Sequence, residues 1–428
     1  MNKAPMTLSN EFIEVLNALE NTHRSYFVTG RAGTGKSTLL QIFRETSKKR
    51  VAVVAPTGIA ALNVRGQTIH SFFGFPPRIM QESEIFPRKN KRMYQLLDTL
   101  VIDEISMVRA DVLDNIDKFL RINRMSDKPF GGVQLIMFGD LFQLPPVVST
   151  TFEKQYFNTV YKSPYFFSSH VLKPDIFYYE MINLHHVYRQ DERHFINLLD
   201  SIRLNNIDFD EIQELNERYT EPPEDTRYLV TLTSINATAN SINLNKLNAL
   251  PEEKYLFQAR IDGNFENRNF PTELILQLKK GAQVMFVKND GQKRFVNGTI
   301  GIISDINSNS IKVLIEDTNG METEIEVEQQ DWEMIKYDYV NNEIKPVVTG
   351  VFTQYPLKLA WAMTIHKSQG KTFDRIYIDL GRGAFEHGQT YVALSRCRTL
   401  GGIYLAQPLK PRDILVDERI REYYYQMR

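Results

Sequence analysis

Eight consecutive residues, Gly30-Arg31-Ala32-Gly33-Thr34-Gly35-Lys36-Ser37, combine glycine-permitted backbone with a lysine and a hydroxyl. Successive N–H groups in such a loop can encircle phosphate oxygens, so the segment reads as a P-loop. Lys36 would reach the β and γ phosphates, Ser37 would ligate Mg²⁺, and Gly33, Thr34, Gly35 and Thr38 would complete the contacts where a helix starts. A second constellation, Val101-Ile102-Asp103-Glu104, is an apolar run ending in two carboxylates. Beside a triphosphate, Asp103 would hold the Mg²⁺ shell and Glu104 would activate the attacking water. A third run, Met137-Phe138-Gly139-Asp140-Leu141-Phe142-Gln143, offers the Gln143 amide as a sensor of the γ phosphate. Taken singly these are a glycine-rich turn, a helix-capping pair and another turn. Taken in order they describe hydrolysis of a nucleoside triphosphate with Mg²⁺.

That chemistry needs strands that end where the loops begin. Residues 25–29, 50–55, 99–102 and 133–138 are short apolar runs consistent with buried strands, and 37–43 follows the first as a helix. Before them, Phe12, Val15, Leu16 and Leu19 recur at helical spacing, with Ser9 or Asn10 as N-cap. The alternation predicts a doubly wound α/β domain over about the first 180 residues. A strand at 176–181, a helix at 191–203, a strand at 228–233 and a helix at 235–247 then open a second α/β unit. From 254 to 344 the runs shorten to 283–287, 299–303, 311–315 and 322–327, punctuated by Asn289-Asp290-Gly291 and Asn319-Gly320. Such a pattern indicates a small antiparallel β module. Runs at 375–380 and 402–405 resume α/β character, so the module is expected as an insertion. The expected boundaries are 1–178 for the first domain, 179–247 with 345–428 for the second, and 248–344 for the insertion.

Bulk properties narrow the class. A formal net charge of −1 gives the whole chain no pull toward nucleic acid, so any such site must be a local groove. Cys397 is the one cysteine, which excludes an internal disulfide or a multi-cysteine zinc site and fits a reducing, cytoplasmic compartment. The polar Met1 to Asn10 lacks a signal-peptide pattern, and no stretch approaches a membrane span, so neither secretion nor insertion is expected.

The order of motifs resembles superfamily 1B helicases, specifically the Pif-one and RecD-like branch, along nearly the whole chain. The resemblance is carried by the P-loop, Ala55-Pro56-Thr57-Gly58 through Thr68-Ile69-His70-Ser71-Phe72, Asp103-Glu104, and Gly139-Asp140 to Pro145-Pro146. It continues through Tyr188-Arg189-Gln190, Thr364-Ile365-His366-Lys367-Ser368-Gln369-Gly370 and Tyr391-Val392-Ala393-Leu394-Ser395-Arg396. Pro129-Phe130-Gly131-Gly132-Val133-Gln134 looks like the turn that sets the Pif-one proteins apart.

The resemblance implies an α/β fold of two RecA-like P-loop domains in tandem, with an SH3-like β-barrel inserted in the second. It implies ATP in the cleft between them, contacted also by Gly370, with Arg189 and Arg396 as arginine fingers. Pro56, Thr57, Gly58, His70, Thr364, His366, Lys367 and Ser395 would line a single-stranded DNA track on which the motor moves 5′ to 3′. Phe72, Phe73 and Phe75, in a wedge-like insertion at about 63–80, would stack bases or part the duplex, or else pack a core. Lys288, Lys293 and Arg294 form a loop that would touch DNA or sit solvated. Single-stranded DNA and strand junctions are the implied partners of a mostly monomeric, nucleoid-associated protein, and replication, recombination or G-quadruplex removal its plausible tasks. Where the family usually places glutamine to hold adenine, this chain has Phe12, leaving Asn10 or backbone as substitutes. A nucleotide-dependent DNA switch or clamp is the competing class, and a small-molecule kinase a weaker one.

Overall fold

In the computed structural model, which describes residues 8–316, 320–340 and 343–427, two parallel sheets flank an antiparallel module. The first sheet holds β1 (Ser25–Gly30), β2 (Val51–Ala55), β3 (Gln67–Thr68), β4 (Thr99–Ile102), β5 (Gln134–Phe138) and β6 (Tyr179–Leu184), all parallel, in the order β3-β2-β4-β5-β1-β6. β1, β4 and β5 are buried throughout, as unbroken apolar runs are when both sheet faces are covered. Their adjacent carboxyl ends deliver the P-loop, Asp103-Glu104 and the Gly139 to Gln143 loop to one place.

β6 corrects the expected domain boundary. It pairs with β1 from Ser25↔Tyr179 to Gly30↔Leu184, so the first domain runs past residue 178 to Leu184. Without that partner the outer edge of β1 would leave its N–H and C=O groups unpaired beside the P-loop. The region expected as a wedge is likewise integral. The helix Ile69–Phe73 packs onto the first domain, and Phe72, Phe73 and Phe75 are buried. Phe72 meets Phe73, Tyr94 and Tyr337 edge-on at 4.8, 5.5 and 5.8 Å, a geometry that aromatic rings favour in cores.

After β7 (Val230–Thr233) and the helix Asn236–Ala249, the module contributes β8 (Lys254–Gln258), β9 (Arg260–Gly263), β10 (Ile275–Lys279), β11 (Gln283–Phe286), β12 (Ile300–Ile306), β13 (Ile311–Glu316), β14 (Glu322–Val327), β15 (Gln330–Val340), β16 (Glu343–Gln354) and β17 (Leu357–Leu359). Its five-stranded sheet, β14-β13-β12-β11-β17, encloses a separate core of Leu278, Val284, Phe286, Ile311, Val313 and Leu357. Because β17 closes that sheet against β11, the module extends beyond the expected residue 344. β15 and β16 form a long hairpin that no sequence run announced. It reaches the first domain, where Val53 N–H donates to the Tyr337 hydroxyl at 3.1 Å and Tyr337 N–H donates to Gln67 Oε1 at 3.1 Å. Asn319 of the expected Asn319-Gly320 turn, and Met1 to Thr7, lie outside the described residues.

β18 (Ala362–Thr364), β7, β19 (Ile376–Asp379) and β20 (Ile403–Leu405) make the second parallel sheet in the order β18-β7-β19-β20. Cys397 is buried in this domain. Among the described residues no helix is long and apolar enough to cross a membrane.

Candidate active site

Gly33 and Gly35 take φ values of +87° and +80°, the left-handed turns that let the P-loop curl back on itself. The loop ends at the helix Lys36–Thr46. The Lys36 ammonium donates to Gly30 O at 2.7 Å and Arg31 O at 2.9 Å, so it lies along the loop it would complete. Crowding by protein atoms pushes its pKa down to about 8, opposed by Asp140 and Glu104.

Glu104, at φ +50°, is a non-glycine residue in the left-handed region, a strained turn at the end of β4. Burial, reinforced by Glu104, pushes the Asp103 carboxyl up to about 8. Burial raises Glu104 as well, against the pull of Lys36 and Arg396. Two crowded carboxylates and the exposed hydroxyl of Ser37 at the start of the following helix are the donor chemistry that Mg²⁺ accepts, so Ser37 and Asp103 would hold the ion of a bound Mg²⁺–nucleotide. The ion would neutralise phosphate charge there.

The second domain closes over this loop. An added Cβ at Gly33 would come within 2.6 Å of Arg189 Cβ, so Arg189 lies directly against the P-loop. Arg189 Nη1 and Gln190 Nε2 donate to Ser395 O at 3.0 and 3.2 Å, tying that segment to the second domain. Arg396 is 1% exposed and donates from Nε to Val392 O, from Nη1 to Ser368 O and Lys371 O, and from Nη2 to Ser395 Oγ. These acceptors are neutral oxygens, and burial, then Arg189, holds its pKa well below the usual guanidinium range. A desolvated cation of this kind is poised to gain from an incoming anion.

Three further contacts cross the cleft. Ala32 N–H donates to the Tyr391 hydroxyl at 2.9 Å, and Gln369 Nε2 donates to Gln143 Oε1 at 3.2 Å. Gln143 in turn donates to Asp140 Oδ2 at 3.4 Å, and Arg203 forms a buried ion pair with Asp140. Tyr391, Gln369 and Arg203 were not anticipated as site residues. A cation ending an amphipathic helix reads, in sequence, as a solvated one.

The proposed DNA residues divide. Thr57 and Lys367 are exposed, Pro56, Gly58, His70 and His366 partly so, and His366 Nε2 sits 3.0 Å from Glu386 Oε2. Thr57 also caps its helix, accepting from Ala60 N–H at 3.2 Å. Thr364 and Ser395 are 3% and 0% exposed, and their hydroxyls serve their own turns, so neither presents its side chain to a strand. Phe72 is removed from the track by the core packing described above. Of the basic loop, Arg294 is held by Asp290 and Lys288 by Asp331 O, both inside the module. Asn10 is exposed at the start of the first helix, which Ser9 caps, while Phe12 is buried. Thr38 is exposed beside Ser37, and Gly370, at φ +76°, has nothing within 4 Å of where a Cβ would stand.

Two family descriptions match: PIF1-like helicase over residues 7–213, and the 2B domain of DNA helicase Pif1 over residues 264–306. An ATP-dependent DNA helicase Pif1 of Bdellovibrio bacteriovorus is 32% identical over 429 residues, covering 97% of this chain and 90% of the relative. The ATP-dependent DNA helicase PIF1 of Danio rerio is 35% identical over 437 residues, covering 98% of this chain and 64% of the relative. The chain thus spans less than two thirds of that longer relative, as it does of the Emericella nidulans one, at 63%. The crystal structure of Bacteroides Pif1 with ADP-AlF4 aligns at TM-score 0.89 and 37% identity, over 98% of this chain and 97% of the other. The same protein bound to single-stranded DNA aligns over the same shares at 38% identity but TM-score 0.69.

Proposed function

The chain belongs to the PIF1-like helicase family, and on that footing we propose that it is an ATP-dependent DNA helicase that moves 5′ to 3′ on single-stranded DNA and unwinds duplex. The observation that carries the reading is the placement of Arg189 against Gly33, with Arg396 in electrostatic reach of Glu104. A partner-activated switch has no need of two arginines of its own in the cleft.

ATP binds with its phosphates in the loop from Gly33 to Ser37. Glu104 takes the proton of the attacking water, whose oxygen bonds the γ phosphorus as the β–γ bridging oxygen leaves with ADP. Arg189 and Arg396 neutralise charge that grows during transfer, and Lys36 holds the β and γ oxygens. Loss of the γ phosphate removes the anion that both arginines share with the P-loop. Gln143 and Gln369, hydrogen-bonded across the cleft, then carry the change toward the Thr364 to Gly370 segment and the strand.

The DNA track comprises Pro56, Thr57, Gly58 and His70 on the first domain and His366 and Lys367 on the second. In this structure Asn269 of the module crowds Gly58, whose added Cβ would lie 2.0 Å from its Oδ1. That crowding, with the lower TM-score of the DNA-bound Bacteroides relative, supports a module that moves aside when a strand enters. The free protein is proposed to be mostly monomeric and to work in the cytoplasm. The test is unwinding of matched duplexes with 5′ or 3′ single-stranded tails, alongside ATPase rates. Unwinding confined to 5′ tails, with at least about tenfold stimulation of turnover by single strands, is expected; DNA-independent turnover without unwinding would sink the reading.

A further inference from the structure

The His387 side chain, in the second domain, is 8% exposed, and backbone groups engage both of its ring nitrogens. Nε2 lies 2.8 Å from Leu141 O in the loop that follows β5, and Nδ1 accepts from Asp417 N–H at 3.0 Å. A backbone N–H can only donate and a carbonyl can only accept, so the ring is neutral with its proton on Nε2. The next residue repeats the join. Gly388 N–H donates to Leu415 O at 2.9 Å, and a Cβ on Gly388, at φ +71°, would lie 2.4 Å from Phe142 O and 2.6 Å from Gln143 O.

Both backbone partners are held by the first domain. Leu141 lies between Asp140 and Gln143. Asp417 precedes the helix Glu418–Met427, which returns to that domain: Tyr423 stacks on Phe167 at 4.3 Å and its hydroxyl lies 2.7 Å from that of Tyr179 in β6, while Tyr424 meets Phe142 edge-on at 5.2 Å. His387 is thus gripped from two sides. Two residues on, the helix Gln389–Leu394 carries Tyr391 and leads to Arg396. We propose that His387 is a positioning residue for hydrolysis: its neutral ring keeps the helix leading to Arg396 in register with the loop that carries Gln143, and protonation of the ring frees the two. An imidazolium would turn a second N–H against Asp417 N–H, losing one bond and setting two donors face to face. The carboxylates around the ring are already committed, Asp417 to Arg419 and Tyr165, Asp140 to Arg203, and Glu386 to His366. Burial outweighs Leu141 O and these carboxylates and holds the pKa below the usual 6.5. A ring released to solvent returns toward about 6.5, so the released state takes the proton and the engaged one loses ground as pH falls below that value.

The inference rests on the proposed helicase reading, and the experiment separates the two. With the full chain, Mg²⁺ and single-stranded DNA, kcat for ATP is measured from about pH 5.5 to about pH 7.5 in the native protein, His387→Gln and His387→Ala, with ADP affinity alongside. Glutamine carries a donor and an acceptor but takes up no proton in this range. His387→Gln is expected to keep kcat within about threefold of native at about pH 7.5, and His387→Ala to lose about tenfold or more. ADP affinity should change by less than about threefold in both, because the P-loop is untouched. The ratio of native to His387→Gln kcat should fall at least about threefold between about pH 7.5 and about pH 5.5. Titration of Glu104 cancels in that ratio, and a histidine that only fills space would leave it flat. A constant ratio overturns the inference, as does near-native turnover of His387→Ala. So does a His387→Gln that fails to fold or loses as much as His387→Ala, since its amide offers the same donor and acceptor. If His387→Ala does not fold, the native-to-glutamine ratio decides alone. Absence of DNA-stimulated turnover in the native protein overturns the helicase reading and the inference with it.

Discussion

Arg203 Nη2 stands 2.9 Å from Asp140 Oδ1 with the two side chains 3% and 0% exposed, and the guanidinium also lies 4.3 Å over the Phe142 ring. Burial works against ionisation of Asp140, but Arg203 and Lys36 outweigh it and hold the carboxyl below its usual range. The pair therefore joins the helix Arg193–Arg203 to the loop that follows β5, where Gln143 Nε2 donates to Asp140 Oδ2 at 3.4 Å. Removing either partner strands a charge in the interior. Arg203→Ala and Asp140→Ala should each cost about 3–5 kcal/mol, with the double variant far from additive. Chemical denaturation of the four species checks this; additive losses would mean that the ions do not couple.

Arg396 is desolvated and its hydrogen-bond acceptors are neutral oxygens, with Glu104 and Asp140 acting on it only through their charges, so the proposed partner of its charge is the substrate phosphate. Arg396→Ala should lower kcat by about 10³-fold or more with little change in nucleotide binding. Arg396→Lys should not restore it, because an ammonium cannot reproduce the guanidinium fork. Steady-state kinetics with a separate measurement of ADP affinity tests the pair of claims.

Glu104→Gln keeps size and polarity but removes the base. Turnover should fall by roughly 10³-fold while ATP still binds. Near-native turnover would require another base.

Burial holds Lys36 at about 8. Above that pH the free protein increasingly carries a neutral amine, which no longer attracts phosphate. Values of kcat/KM for ATP, which report the free enzyme, should therefore fall as pH rises above about 8. kcat should hold to higher pH, because bound phosphate favours the ammonium. A flat kcat/KM profile through pH 9 would contradict this assignment.

Tyr337→Phe retains the ring contact with Phe72 but deprives Val53 N–H of its acceptor. The docked hairpin should lose about 1 kcal/mol, and apparent affinity for single-stranded DNA should rise about fivefold if the hairpin must leave before the strand binds. Fluorescence anisotropy with a labelled oligonucleotide decides it; unchanged affinity would detach the hairpin from DNA entry.

Much of the site was legible because its chemistry is local. A P-loop is eight neighbouring residues, and Asp103-Glu104 sits at the end of its own apolar strand, so type and spacing suffice. The parts that were misread depend on contacts distant in sequence. Tyr179–Leu184 looks like the start of a new unit until β1 is seen to need an outer partner. Thr364 and Ser395 carry polar side chains that serve as internal braces, and Phe72 is an aromatic residue in a motif that turns inward. The β15–β16 hairpin was missed because its apolar positions, Trp332, Ile335 and Tyr337, face a surface supplied by other parts of the fold. Arg203 gave no signal, since its ion partner lies 63 residues away.

The buried Cys397 has a practical consequence. Its thiol is shut from solvent, and burial pushes its pKa up to about 12, so almost no thiolate forms near neutral pH. The unmodified chain is therefore a nearly silent background for maleimide dyes. Ile59→Cys beside the track and Val347→Cys on the hairpin, at positions 49% and 41% exposed, would carry a donor and an acceptor fluorophore with little competition from the native thiol. Energy transfer between them would time the departure and return of the hairpin on single molecules as strands and nucleotides come and go.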